Sequence, residues 1–380
     1  MMSISRMISI ASAIVTLGVV ASSPSIAQVL TFGTLTPLQV NSNPSEAYAV
    51  GLGTNSVAVL SNGNYVVAWT SYLKPLTEYE TGTDQFRIFN SSGQAVSGII
   101  TVDTDSTGIA NVAQTSNGQF AVEYETNNQV WVRFFSSNGT ARTSATAVGT
   151  AGHLGSIASA GGNGVVVTWT DYGPSYAQFF NKNGGQRTTA IQVGSSSSWS
   201  GNVAQLKPDE YVLSGGGTPS AILFNGEGRA IGSSFSPSLS GNDVFVQALR
   251  TSVAILSGPE SSQFDIVKFL PDSTLTRTYK EIMGSDVGSY PNFLGRNETA
   301  QFAMFYTKPG SVQPYYEVFA NNGKLVQTET ELSQITDVSA NGGSATAVWF
   351  NGLIARETMS GTFIFAWLDS SGNLWTGVTN

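Results

Sequence analysis

The segment Asp103-Thr104-Asp105-Ser106-Thr107-Gly108-Ile109-Ala110-Asn111 carries oxygen side chains at its positions 1, 3, 5 and 9 and a glycine at position 6. A hard cation needs several oxygens on a tightly curved loop. This spacing matches a calcium loop with Asp103, Asp105, Thr107 and Asn111 as ligands. The neutral oxygens of Thr107 and Asn111 make the expected site weak and of extracellular type. The same string also suits an ordinary polar turn. Calcium is the one cofactor that the residues suggest.

His153 is the single histidine, and there is no cysteine, so a His- or Cys-rich zinc site is excluded. No Gly-x-Ser-x-Gly context points to a Ser-His-Asp nucleophile. His153 therefore reads as a loop residue bonded to backbone or water. Glu123 and Glu125 alternate along a strand end and share a face, and Asp171 follows Trp169 at the matching place in the next unit. Such carboxylates could serve a glycosidase, although nothing in the sequence sets the separation that acid–base work requires. Asp369 to Trp375 has one residue too many between Asp and Gly for a sialidase-type Asp box. Trp199, alone in Ser195-Ser196-Ser197-Ser198-Trp199-Ser200-Gly201, could stack on a sugar ring or pack back onto its neighbours. Glu78, Tyr79 and Tyr172 stand in other long connections and complete the candidate ligand-binding set with Asp171, His153 and Trp199.

These residues hang on a repeat. Gln85-Phe86-Arg87-Ile88-Phe89 ends in an aromatic followed by Asn90-Ser91-Ser92-Gly93, and the pattern returns at Val130 to Phe135 and Tyr176 to Phe180. Weaker copies end at Phe224, Phe269, Phe319 and Leu368, so the spacings are 46, 45, 44, 45, 50 and 49 residues. Upstream of each copy, two short β-branched and aromatic runs flank an Asn-Gly or similar turn, as in Ser56 to Leu60, Asn62-Gly63 and Tyr65 to Trp69. That is a strong hairpin signal. One further strand follows each anchor turn. Four strands per unit and seven units of this period predict an all-β fold, a seven-bladed β-propeller of four-stranded antiparallel blades. A sandwich pair would not explain one uniform period, and a solenoid coil is normally shorter. The seventh unit is read with residues 363–368 as its third strand. Residues 30–40 resemble an outer strand with no partners ahead of them, and giving them to the last blade closes the ring and hides both edges. In such blades the short turns lie at one end and the long connections at the other, where binding is expected.

The two patterns together resemble tandem propeller-type repeats of bacterial exported proteins, including haemolysin-type secreted ones. The likeness covers most of residues 56–372. It implies export and a propeller-like scaffold, and it carries no catalytic residue across.

The ends and the composition agree with export. Residues 1–27 read as a signal peptide: Arg6 is the only charge, residues 7–21 are apolar, and Ser25-Ile26-Ala27 offers small residues for cleavage. Residues 28–380 then form one domain, secreted or periplasmic, with no later stretch long and apolar enough to span a bilayer. Charged residues make up only 11%, with a net charge of −8 and no Lys/Arg cluster, which argues against nucleic acid as a partner. The expected function is non-catalytic recognition of a glycan, polymer or protein by a monomer. The alternative is a carbohydrate-active hydrolase or lyase using loop carboxylates. Two or three buried carboxylates at the channel mouth would favour the enzyme, and a dry or neutral mouth the binder.

Overall fold

The structure is a computed structural model. It describes residues 35–40, 48–51, 55–73, 81–116, 118–149, 152–160, 164–171, 173–194, 202–207, 209–215, 220–235, 244–248, 252–257, 263–269, 275–282, 292–295, 301–308, 311–320, 322–338, 353–357, 363–369, 371 and 373–379. Every regular element among them is a strand. In chain order these are β1 (Leu35–Gln39), β2 (Tyr48–Gly51), β3 (Val57–Val59), β4 (Tyr65–Leu73), β5 (Gly82–Phe89), β6 (Ile100–Ser106), β7 (Asn111–Gln114), β8 (Phe120–Thr126), β9 (Gln129–Phe135) and β10 (Thr146–Val148). There follow β11 (His153–Ser159), β12 (Gly164–Thr170), β13 (Ser175–Asn181), β14 (Ile191–Gly194), β15 (Asn202–Lys207), β16 (Glu210–Gly215), β17 (Ser220–Asn225), β18 (Ala230–Phe235), β19 (Val244–Ala248) and β20 (Ser252–Ser257). The last are β21 (Gln263–Phe269), β22 (Leu275–Ile282), β23 (Asn292–Gly295), β24 (Gln301–Thr307), β25 (Pro314–Ala320), β26 (Leu325–Glu331), β27 (Leu353–Glu357), β28 (Phe363–Leu368) and β29 (Leu374–Thr379).

Local sequence explains the meanders. Tyr65-Val66-Val67-Ala68-Trp69 favours a strand, and it is buried on both faces, so it reads as a continuous apolar run rather than an alternation. The turn after β5 is tied by Asn90, whose Oδ1 accepts from the N–H groups of Ser92 and Gln94. Gly93, at φ 81°, takes the left-handed position that completes it. Asn181 and Asn225 repeat this device after β13 and β17.

β11–β14, β15–β18, β19–β22 and β23–β26 are four-stranded antiparallel sheets in chain order. β3–β6 and β7–β10 are meanders of the same kind, joined to each other by a single bridge between Ser106 and Thr126. β2 extends the first by pairing with the far half of β4. The final sheet runs β27, β28, β29, β1, with Leu35 opposite Thr379 and Gln39 opposite Trp375. The first strands lie side by side in sequence, β3 by β7, β7 by β11, and so on to β27, which lies by β3. The core is between sheets. Trp69, Tyr65 and Phe89 meet Ile364, Leu368 and Val378 of the last sheet, while Ala121, Val132 and Phe134 meet Val165, Val167 and Trp169.

Three local expectations are corrected. Residues 363–368 are the second strand of their sheet, not the third; β29 is the third and β1 the fourth. His153 opens strand β11 opposite Thr170 rather than standing in a loop. Asp103 and Asp105 lie on strand β6, with Asp103 opposite Asp84, rather than in a loop.

Candidate functional site

The repeat supplies its own reference for what is unusual. Counted from the residue that pairs with each anchor aromatic, Glu123 on β8 stands where Ala68, Thr168 and Ser214 stand on β4, β12 and β16. Glu125 stands where Thr70 and Thr170 do. On β5, Asp84 takes the place of Val130 and Ser175. All three acids lie toward the end where the long connections join the sheets, and all three are buried.

Asp84 is 0% exposed and sits opposite Thr70 in register. The Thr70 hydroxyl accepts from Ala110 N–H (3.0 Å) and donates to Asp84 Oδ1 (2.5 Å), stitching the first sheet to the start of the second. Burial pushes the Asp84 carboxyl up to about 8, with the hydroxyls of Thr70 and Ser106 favouring its charged form and Asp103 and Glu125 opposing it. Tyr72 closes this pocket by donating to Gly108 O at 2.7 Å.

Glu123 and Glu125 share a face of β8 with Ala121, which packs against the third sheet. Glu123 Oε2 lies 3.5 Å from Asn111 Nδ2, and its Oε1 has no hydrogen-bond partner. Burial holds its carboxyl well above the ordinary range; the Asn111 amide opposes this and the Glu125 charge adds to it. Glu125 accepts from the Thr107 hydroxyl at 2.9 Å and from His153 Nδ1 at 3.0 Å. The hydrogen bond to Glu125 raises the His153 pKa against desolvation, and the charges of Glu125 and Asp171 add to it. With 24% of its side chain exposed against 4% for Glu125, His153 is the accessible member of the pair.

A second polar knot joins the inner strands. Asn55, just before β3, donates from its backbone to Asn111 Oδ1 (3.3 Å) and from its side chain to Ser156 Oγ (2.5 Å). Arg356 on β27 donates to Asn55 Oδ1 at 3.1 Å, and burial lowers its pKa to about 10. First, second, third and last sheets are thus tied at one place.

Of the residues read from sequence, His153, Asp171 and Glu125 come together. Asp103, Asp105, Thr107 and Asn111 do not act as one set: Asp103 Oδ2 accepts from Asp105 N–H, Thr107 bonds Glu125, and Asn111 bonds Asn55 and Glu123. Among the described residues no three of His, Cys, Asp and Glu are placed to share a metal. Glu78, Tyr79, Tyr172 and Trp199 lie outside the described residues. Sequence reasoning missed Asp84 and Asn55. Aligning the third strands of the units would have exposed Asp84 as the acid in a Val or Ser position; no comparable signal marks Asn55.

Chemically, the carboxylates are closed to solvent. Asp84 and Glu123 lie inside a seam, where burial favours the neutral form of each.

No protein-family model matches the chain, and no curated protein matches it either. Solved structures do resemble it. The Dos1 propeller superposes with a TM-score of 0.54 at 8% identity, over 91% of this chain and 94% of that one. BBS1N, solved in complex with ARL6DN, gives 0.53 at 11%, covering 92% and 98%. A protein of unknown function from Dyadobacter fermentans gives 0.52 at 11%, covering 91% and 99%. At these identities the likeness is one of fold alone: this all-β chain of antiparallel sheets is similar in architecture to β-propellers.

Proposed function

We propose that the chain is a seven-bladed propeller closed by β1, exported by its first 27 residues to the periplasm or medium, and that it works there as a non-catalytic recognition protein. The sequential neighbourhood of β3, β7, β11, β15, β19, β23, β27 and again β3 supports the blade count, and the β1–β29 pairing supports the closure. The ligand is a glycan, surface polymer or protein, held at the end of the long connections.

The observation that carries this reading is the contrast between burial and access at one end of the sheets. Buried carboxyls at the channel mouth would point to an enzyme, but Asp84, Glu123 and Glu125 stand on second and third strands, away from the first strands that neighbour one another. His153, on a first strand and bonded to Glu125, reaches solvent. Such a group orients a polar ligand; it does not supply the two accessible carboxyls that glycoside hydrolysis requires.

The test is a glycan and polysaccharide binding panel on the secreted protein, paired with hydrolysis assays on the same compounds. A bound compound should lose about tenfold in affinity in His153→Ala, assayed at a temperature where the variant is fully folded. Hydrolysis abolished by Glu125→Gln, or binding that maps to the short turns at Asn62, Asn138 and Asn183, would refute the proposal.

A further inference from the structure

Asp84 and Glu123 share a feature that packing alone does not require. Both are fully buried, each leaves one carboxyl oxygen without a hydrogen-bond partner, and each bonds only a neutral group: the Thr70 hydroxyl for the first, the Asn111 amide for the second. Their charged surroundings are nearly all of one sign. Around Asp84 stand Asp103 from β6, Glu125 from β8 and the phenol of Tyr72 from β4. Beside Glu123 stands Glu125. Among the described residues, the base that bonds one of these acids is His153, through Glu125, with Asp171 behind it. Arg356 bonds Asn55, which lies one residue further from Glu123, beyond Asn111. A lone carboxylate in such a place costs far more than the proton that neutralises it.

We propose that the seam between the first three sheets is a proton-held lock: Asp84 and Glu123 fold in as neutral acids, and their ionisation at rising pH loosens the seam. The 107–110 connection and the Glu125–His153 pair sit on that seam, so loosening it changes the end of the molecule where the long connections lie. The lock itself does not depend on what that end binds.

The direction follows from linkage. A buried acid whose folded pKa is raised keeps its proton after the unfolded chain has lost it. The stabilisation is therefore complete below the unfolded value and falls as pH rises toward the folded one. For Asp84 that window runs from 3.8 to about 8, and within it the folding constant drops about tenfold per pH unit. Glu123 acts in the same sense. His153, raised from 6.5, contributes stability that is present below that value and lost as pH passes its folded one. All three favour the closed seam in acid.

Two measurements on the full chain test this. Infrared spectroscopy near pH 7 should show the C=O band of protonated carboxylic acid, reduced in Asp84→Asn and again in Glu123→Gln. Amide hydrogen exchange, corrected for its intrinsic pH dependence, should show residues 100–126 losing about tenfold or more in protection between about pH 6 and about pH 9, relative to residues 301–320. The double variant, whose amides mimic neutral acids, should remove that difference. If the double variant does not fold, the two wild-type measurements still decide. Absence of the protonated band above about pH 6, or equal loss of protection in both segments, would overturn the lock.

Discussion

Phe86 offers the sharpest probe of how the sheets are held together. Its ring, fully buried on β5, meets Phe120 edge-on (centroids 5.1 Å, 85°) and Phe135 at 4.9 Å and 70°, while these two stack on each other at 5.5 Å and 15°. One ring of the first sheet therefore wedges against a stacked pair of the second. Removing it in Phe86→Ala should cost about 3–5 kcal/mol, from lost transfer and the cavity left behind. Each ring–ring contact should account for about 0.5–1.5 kcal/mol of that. The assay is urea unfolding followed by tryptophan fluorescence. With a slope of about 3 kcal/mol per molar, the midpoint should fall by about 1–1.7 M. A cycle of Phe86→Leu and Phe135→Leu, which keeps apolar volume and deletes the rings, should return a coupling of about 0.5–1.5 kcal/mol. A cost below about 1 kcal/mol for Phe86→Ala, or zero coupling, would mean that these rings do not carry the seam.

Two more predictions concern closure and backbone. Removing residues 28–40 bares the β29 edge and takes away the Val40 N–H bond to Leu374 O and the Arg87 bond to Val40 O, so the unfolding midpoint should drop and light scattering should rise; an unchanged midpoint would deny β1 a closing role. Gly164→Ala should destabilise by more than about 4 kcal/mol, because a Cβ at φ 139° would lie 1.8 Å from Phe180 O. Gly63→Ala, at φ 85° with open space around it, should cost only about 1–2 kcal/mol, and similar costs for the two in parallel chemical denaturation would contradict this account.

Much of the fold was legible because it is written locally. Tyr65 to Trp69 is a strand by residue type, and Asn90-Ser91-Ser92-Gly93 is a turn because its first side chain bonds the N–H groups that follow. Repetition of these short signals at one period carried the all-β architecture. The same locality caused the misreading of the last unit. Asp369 accepts from the N–H groups of Ser371 and Asn373 just as Asn90 does from those after it, yet its turn joins the second and third strands of the last sheet. Turn chemistry tells where a chain reverses, not which strand of a sheet has just ended. Asp103 and Asp105 were likewise spaced for a loop until pairing with β5 drew them into a strand.

The site belongs to the other category. Glu123 and Glu125 were visible as acids on one face, but their burial depends on the third sheet closing over β8. Thr70 meets Asp84 across a reversal of 14 residues, and Glu125 meets His153 across 28. Asn55 bonds Ser156 across 101 residues and Arg356 across 301, distances that only the packing of first and last sheets side by side makes short. Types and local periods decided which residues form strands. Burial, and with it whether a carboxyl is charged, was decided only when separate sheets excluded water from between them.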